Sequence, residues 1–151
     1  MTSITPSTPA KFRYYYPVTV RYSDLDTLQH VNNIAVLQYV EAARVGYYEA
    51  TGIWDGVMRG GFGMVVASVK IDYLQSIQYH DKVRVGVMLR ALGNKSLRFW
   101  FQVESADGKR VFARGEVVTV SYDMQEGRST PVPKEWRKKL AVFEENEDLS
   151  A

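Results

Sequence analysis

Apolar and polar residues alternate with a period of two along four stretches of the chain, which is the pattern of half-buried β-strands. These stretches are residues 12–22, 64–74, 82–92 and 97–104, and a fifth, residues 111–122, is long and rich in β-branched side chains. Pro17 cannot donate to a strand ladder, so the first strand is expected at a sheet edge or at a bulge. Gly93-Asn94 and Asp107-Gly108 are hairpin signals, and they predict that the last three strands form an antiparallel meander.

Residues 34–50 instead follow the period of an α-helix. Two apolar sides run along this segment, one formed by Val36, Val40, Ala43, Tyr47 and Ala50 and the other by Ile34, Leu37 and Tyr48. A helix that is apolar on two sides is usually surrounded by the rest of its domain. Gly52 is predicted to end this helix, and a shorter helix is predicted over residues 134–144. One antiparallel sheet of about five strands with one long helix against it predicts the α+β fold class.

The length of 151 residues suits one domain with a filled core. Residues 1–12 are rich in Thr, Ser and Pro and are expected to be a disordered lead-in. Residues 13–145 are expected to form the single domain, and the acidic residues 146–151 are expected to be a frayed tail.

Composition excludes several classes of function. The chain has no cysteine, which removes cysteine nucleophiles, disulfides and thiolate metal sites and agrees with a cytoplasmic location. The net charge of +2 gives little support to a nucleic-acid partner. Charged residues interrupt the most apolar region and the N-terminus has no signal-peptide core, so neither membrane insertion nor secretion is expected.

The loop between the first strand and the long helix carries the candidate chemistry. It contains Asp24, Asp26 and His30, followed by Asn32 and Asn33 at the predicted start of the helix. A carboxylate beside a helix N-terminus can attack a carbonyl, or activate water towards it, while free N–H groups hold the carbonyl oxygen. Aspartates also favour turns for purely local reasons, so the spacing alone does not decide between catalysis and a loop-capping role.

Other catalytic patterns have less support. No fourth ligand accompanies the two aspartates and His30, so no metal site is expected, and His30 is predicted to bond the loop or a substrate carbonyl. Asn32 or Asn33 is predicted to cap the helix. The sequence has no GxSxG nucleophile elbow and no phosphate-binding glycine loop. Basic residues of the predicted meander, Lys95 and Arg98 among them, form either a solvated face or a contact for a phosphorylated ligand.

The segment that contains this loop resembles a known protein family. Residues 21–44 read RYSDLDTLQHVNNIAVLQYVEAAR, and this segment resembles the motif of the hot-dog-fold acyl-CoA thioesterases of the 4-hydroxybenzoyl-CoA thioesterase type. Its centre, DLDTLQHVNN, is more loosely similar to the plant acyl-ACP thioesterases. The resemblance implies a sheet wrapped around the long helix, and homodimers or homotetramers with active sites between subunits. It also implies an acyl-CoA substrate, with coenzyme A as part of that substrate and no further cofactor.

The resemblance implies roles for individual residues. Asp26, rather than Asp24, would be the nucleophile or general base, the backbone N–H of Asn33 would polarise the thioester carbonyl, and His30 would assist. The substrate would further contact Asn32, Lys95, Ser96 and Arg98, the basic residues meeting the coenzyme A phosphates.

The chain departs from the family pattern at two positions. Val36 stands where many members with HVNN carry a tyrosine, and Leu28 stands where the plant motif has an asparagine. Two other functions stay open beside acyl-CoA hydrolysis. The acyl carrier could be a protein, as in the acyl-ACP thioesterases, or the domain could bind an acyl group or another small ligand without catalysis.

Overall fold

The structure is a computed structural model that describes residues 12–56 and 60–150. Its helices and strands are, in order, β1 (Tyr14–Val18), α1 (Asn33–Thr51), β2 (Phe62–Tyr73), β3 (Val83–Leu92), β4 (Ser96–Ser105), β5 (Val111–Asp123), β6 (Arg128–Ser129) and α2 (Lys134–Glu144). Short 3-10 helices follow β1 at Tyr22–Asp24 and end the described chain at Glu147–Ser150. This confirms the prediction of an α+β fold with one long helix and a short helix near the C-terminus.

The strands form one antiparallel sheet in the order β1-β3-β4-β5-β2, and the short β6 pairs with β5. The predicted meander of β3, β4 and β5 is confirmed. Pro17 lies in β1, which among the described strands pairs with β3 alone and forms one edge of the sheet, as expected for a residue with no N–H to donate. The sheet curves around α1 in the hot-dog arrangement that the resemblance implied.

The ends of α1 are fixed by local chemistry. The Asn32 side chain accepts a hydrogen bond from the Ile34 N–H at 2.8 Å, and Gly52 closes the helix with a left-handed φ of 83°. Most of the predicted apolar positions are buried, and the buried side chains of α1 are Ala35, Val36, Tyr39, Val40, Ala43, Tyr47, Tyr48 and Thr51. Ile34 and Ala50 are exposed instead, although their neighbours Ala35 and Thr51 are buried.

The second edge strand, β2, is much less covered than the rest of the sheet. Its pairing partner is β5, and α1 packs mainly against β1, β3 and β4. Val65, Val66, Val69 and Tyr73 are therefore between 41% and 46% exposed. A long apolar strand with an open edge is a surface that soluble proteins usually cover.

Three boundaries differ from the sequence prediction. The first strand ends at Val18 rather than near residue 22, because residues 22–24 turn into a 3-10 helix. Residues 147–150, within the segment expected to be a frayed tail, form a 3-10 helix in which Leu149 is 5% exposed. The expected disordered lead-in falls on residues 1–11, outside the described residues, and on Phe12, which is buried. Within the described ranges, no helix is both long and apolar enough to cross a membrane.

Candidate active site

The loop between β1 and α1 is held in one shape by its own backbone. Asp26 donates its N–H to the His30 carbonyl at 2.8 Å, and Gln29 adopts a positive φ of 64° to close the turn. Bridges join Leu25 to Val31 and His30 to Gln78. The loop is thus anchored to the segment that follows β2, so the side chain of Asp26 projects from a supported turn.

Asp24 is buried and fully engaged in this support. Its carboxylate accepts hydrogen bonds from the Tyr39 hydroxyl at 2.6 Å, from the Arg21 N–H at 2.9 Å and from the Arg21 guanidinium at 3.0 Å. Burial alone would raise the pKa of the Asp24 carboxyl, but the hydrogen bonds from Tyr39 and Arg21 outweigh it and the pKa is lowered. Asp24 therefore anchors the loop to α1 and is not presented to a ligand.

Asp26 is the carboxylate that faces open space. Its Oδ1 accepts hydrogen bonds from the Leu28 N–H at 2.8 Å and the His30 N–H at 3.4 Å, while its Oδ2 accepts none from the described residues. It lines a cavity of ≈ 380 Å³ at the start of α1. The other lining residues are His30, Val31, Asn33, Val36, Tyr73, Leu74, Gln75, Ser76, Ile77, Phe112 and Ala113.

The N-terminus of α1 offers a hydrogen-bond donor to the same cavity. The Ile34 N–H bonds the Asn32 side chain and the Val36 N–H bonds the Asn32 carbonyl, whereas the Asn33 N–H has no acceptor within the part of the chain that the structure describes. Asn33 lines the cavity together with Asp26. The helix dipole adds positive potential at this end, so a developing negative charge is stabilised there.

Two other predicted site residues, His30 and Asn32, lie near the start of α1. His30 lies in the cavity with Asp26 and Asn33, while the Asn32 amide oxygen is occupied as the helix cap.

Side chains of His, Cys, Asp or Glu do not gather in groups of three or more that could hold a metal anywhere in residues 12–56 and 60–150.

Lys95, Ser96 and Arg98 lie at the far end of the sheet. Ser96 is opposite Val120 and Val103 is opposite the cavity residue Ala113, so seven residues of β4 separate the two ends. That is about 23 Å at ~3.3 Å per residue. These three residues and Asp26 are therefore not brought together within one chain, and Arg98 is already paired with Glu116.

Two residues of the site were absent from the sequence prediction. Tyr73, at the end of β2, lines the cavity and donates its hydroxyl to the Asn33 carbonyl at 3.1 Å. Tyr39 supports the loop through Asp24. Both are tyrosines on apolar faces, and only their positions in the fold distinguish them from core aromatics.

Comparison with known proteins shows which protein family the sequence of this chain matches. A family model described as the thioesterase-like superfamily matches residues 20–140. A thioesterase from Thermus thermophilus, crystallised with coenzyme A and Zn, is 37% identical in sequence, with a TM-score of 0.77 over 89% of this chain and 97% of that one.

Two curated proteins are also similar. YsmA of Bacillus subtilis (strain 168), an uncharacterized protein, is 28% identical over 85% of this chain and 86% of its own length. The long-chain acyl-CoA thioesterase FadM of Escherichia coli (strain K12) is 25% identical over 82% of this chain and 93% of its own length.

Proposed function

The chain belongs to the thioesterase-like superfamily, and from this premise we propose that it hydrolyses an acyl-CoA thioester to a free carboxylic acid and coenzyme A. One observation carries the proposal. Asp26 has a carboxylate oxygen without an intramolecular partner among the described residues, and it shares a cavity with the unbonded N–H of Asn33. An acid or base next to an oxyanion donor is the minimum that thioester hydrolysis requires.

The proposed reaction begins with the thioester carbonyl oxygen accepting a hydrogen bond from the Asn33 N–H. Asp26 either takes a proton from a water whose oxygen bonds to the carbonyl carbon, or attacks that carbon itself to form a mixed anhydride that water then hydrolyses. In both routes the C–S bond breaks, and the departing thiolate takes up a proton to give the thiol of coenzyme A. Removal of one oxyanion donor typically raises such a barrier by ~3 kcal/mol.

Coenzyme A is favoured over an acyl carrier protein as the acyl carrier. The support comes from relatives, since the Thermus thermophilus thioesterase was crystallised with coenzyme A and the Escherichia coli relative is named for acyl-CoA hydrolysis. Rates measured on matched acyl-CoA and acyl-carrier-protein thioesters test the choice. A higher kcat/KM on the protein-bound thioester would assign the enzyme to acyl-carrier-protein hydrolysis.

Self-association, as a homodimer or homotetramer, is part of the proposal. The open edge of β2 and its exposed valines provide a surface on which the sheets of two subunits can join. Within one chain, Lys95 and the Asp26 cavity lie towards opposite ends of β4, where Ser96 and Val103 are about 23 Å apart at ~3.3 Å per residue. Light scattering of the purified protein gives the number of subunits, and a monomer that retains full activity would refute this part.

The catalytic role of Asp26 is tested with Asp26→Asn, which keeps the shape of the side chain and removes its basicity. We expect kcat on the best acyl-CoA to fall by ~10² to ~10⁴-fold while circular dichroism and thermal unfolding stay unchanged. Asp148→Asn, the same substitution at an exposed position of the C-terminal 3-10 helix, is the matched control and should leave kcat unaltered.

Two outcomes would contradict the proposal. Full activity of Asp26→Asn would remove Asp26 from the mechanism. Binding of acyl-CoAs without release of free thiol, across short, long and aromatic acyl groups, would instead identify a non-catalytic acyl-binding protein.

A further inference from the structure

The hydroxyl of Tyr73, at the end of β2, lies beside the N-terminus of α1. It donates to the Asn33 carbonyl oxygen at 3.1 Å, and Tyr73 and Asn33 both line the ≈ 380 Å³ cavity that contains Asp26. The Tyr73 side chain is 46% exposed, so it is not part of the hydrophobic core. A polar group in this position is available to a molecule bound in the cavity.

The direction of the Tyr73 proton determines what its oxygen can do. A phenolic hydroxyl has one proton to donate and an oxygen that also accepts. Because the proton points at the Asn33 carbonyl, the oxygen offers only its lone pairs to the cavity. Burial raises the pKa of this hydroxyl above its ordinary value, so it stays protonated at neutral pH and keeps its bond to Asn33. In this geometry Tyr73 is an acceptor towards the cavity, not a second donor to a substrate carbonyl oxygen.

Asp26 offers a second acceptor to the same cavity. Its Oδ2 accepts no hydrogen bond from the described residues, whereas its Oδ1 is held by the N–H groups of Leu28 and His30. A water molecule has two protons to donate, so it fits between two acceptors and keeps the lone pairs of its oxygen free. The cavity of ≈ 380 Å³ has room for this water beside a substrate carbonyl, since a water occupies ~30 Å³ in the liquid.

The remaining polar side chains of the cavity are not held in one direction. Apart from Asp26 and Tyr73, they make no hydrogen bond within the described ranges of the chain; they are His30, Asn33, Gln75 and Ser76. Gln75 and Ser76 are also exposed. Tyr73 is therefore the uncharged acceptor of this cavity whose orientation is fixed by a contact with α1.

Asn33 relates the Tyr73 hydroxyl to the reacting carbonyl. Its N–H is the donor proposed for the thioester oxygen, and its own carbonyl accepts the Tyr73 proton. A water at ~2.8 Å from the Tyr73 oxygen is thus brought close to a carbonyl carbon held at Asn33. Attack requires about 3–3.5 Å between the water oxygen and that carbon in the bound complex.

We propose that Tyr73 is a further catalytic residue, whose hydroxyl oxygen accepts one proton of the attacking water while Asp26 Oδ2 accepts the other. Asp26 is then a general base and not a nucleophile. The inference rests on the proposed function for the position of the thioester, and on the Tyr73–Asn33 hydrogen bond for the position of the water.

The step is balanced without a further reactant. The water oxygen bonds to the carbonyl carbon while one of its protons passes to Asp26 Oδ2, and the carbonyl oxygen becomes an oxyanion bound by the Asn33 N–H. The oxyanion then collapses and the C–S bond breaks. The departing thiolate takes the proton from Asp26, and the second water proton, first held by Tyr73, stays on the carboxylic acid until the acid ionises in solvent.

Tyr73→Phe tests this role, because it removes the hydroxyl and keeps the ring. We expect kcat on the best acyl-CoA to fall ~10 to ~100-fold, the effect of losing one hydrogen bond in the reacting complex. Tyr79→Phe is the matched control, since its ring is 43% exposed and lies outside the cavity, and it should leave kcat unchanged. Rapid-quench measurements should show thiol and acid appearing at the same slow rate from the first turnover of Tyr73→Phe, without a burst of thiol.

An unreactive substrate analogue separates a catalytic role from a structural one. In this ketone a CH₂ group replaces the thioester sulfur, so the carbonyl that binds the Asn33 N–H is kept. Titration calorimetry should give the same Kd for the wild type and Tyr73→Phe. A Kd that rises as much as kcat falls would show that Tyr73 only positions the N-terminus of α1, and would overturn the inference.

Two further results would also overturn it. Full kcat in Tyr73→Phe would remove Tyr73 from the reaction. A burst of one thiol per subunit in Tyr73→Phe would show that Asp26 itself attacks the carbonyl and that water acts only on the resulting anhydride. Both results leave the thioesterase function standing, whereas a wild type that releases no thiol from any acyl-CoA refutes the function itself.

Discussion

The Tyr39 hydroxyl donates a 2.6 Å hydrogen bond to the buried carboxylate of Asp24, fifteen residues earlier in the chain. This bond joins the second turn of α1 to the loop that carries Asp26. The Asp24 carbonyl also accepts the Asn32 N–H at 2.8 Å, directly before the helix begins. Asp24 therefore holds the loop that carries the Asp26 carboxylate in a fixed position relative to the N-terminus of α1.

Tyr39→Phe should lower both stability and activity. The substitution removes one of the two donors to Asp24 Oδ2, and the Arg21 N–H remains. Since a hydrogen bond to a charged group is lost, the expected loss in the free energy of unfolding is about 1–3 kcal/mol by urea denaturation. The kcat should fall as well, because the loop is less firmly held. Tyr22→Phe removes a hydroxyl from a ring that is 76% exposed and should change neither quantity, and equal effects of the two variants would contradict the structural role of Tyr39.

Asp24 should also make stability depend on pH. Its pKa is lower in the folded state than in the unfolded chain, so folding favours the carboxylate form. The stabilisation is present above the unfolded pKa of ~3.9 and is lost as the pH falls through the lower folded value. The difference in unfolding free energy between wild type and Asp24→Asn should therefore shrink from pH 7 towards pH 3. A difference that stays constant with pH would show that the Asp24 charge contributes nothing.

The helix cap allows a third prediction. Asn32→Ala removes the acceptor of the Ile34 N–H and should cost ~1 kcal/mol of stability, whereas Asn32→Asp keeps an acceptor and should cost less. Thermal unfolding compares the two variants. If Asn32→Ala lowers kcat far more than its stability explains while Asn32→Asp does not, the cap positions the Asn33 N–H for catalysis.

The bounds of α1 could be predicted from the sequence because they depend on local signals. Asn32 and Gly52 bracket α1, and the helix begins and ends within one residue of the predicted bounds because both caps are short-range. The end of β1 and the role of Asp24 could not be predicted in the same way. They depend on a contact with Tyr39, which only the folded chain brings near.

In the candidate site, too, the contacts that distinguish the residues form only in the folded chain. Two aspartates with identical chemistry lie two residues apart, and their burial and partners separate them: one is enclosed by Arg21 and Tyr39, and the other lines a cavity. Residue type and spacing carry no information about that enclosure.

Gly115 supports a last prediction, about the pairing of β2 with β5. Ile71 of β2 lies opposite it, and a Cβ at position 115 would be 1.9 Å from the Lys70 carbonyl oxygen and 2.8 Å from the Phe101 ring. The carbonyl belongs to the β2 backbone and cannot move without disturbing its pairing with β5. Gly115→Ala should therefore reduce the free energy of unfolding by about 2–3 kcal/mol, as overpacking in a core does.

Gly93→Ala is the matched control for this prediction, since the nearest atom to its Cβ is the Ser96 hydroxyl oxygen at 2.5 Å, which a side-chain rotation moves away. Its cost should stay within about 0.5 kcal/mol, the usual range for a surface position. Urea unfolding of both variants is the measurement. Because β2 carries Tyr73 of the Asp26 cavity, Gly115→Ala should also lower kcat/KM. Equal costs for the two glycines would show that β2 adapts freely around position 115.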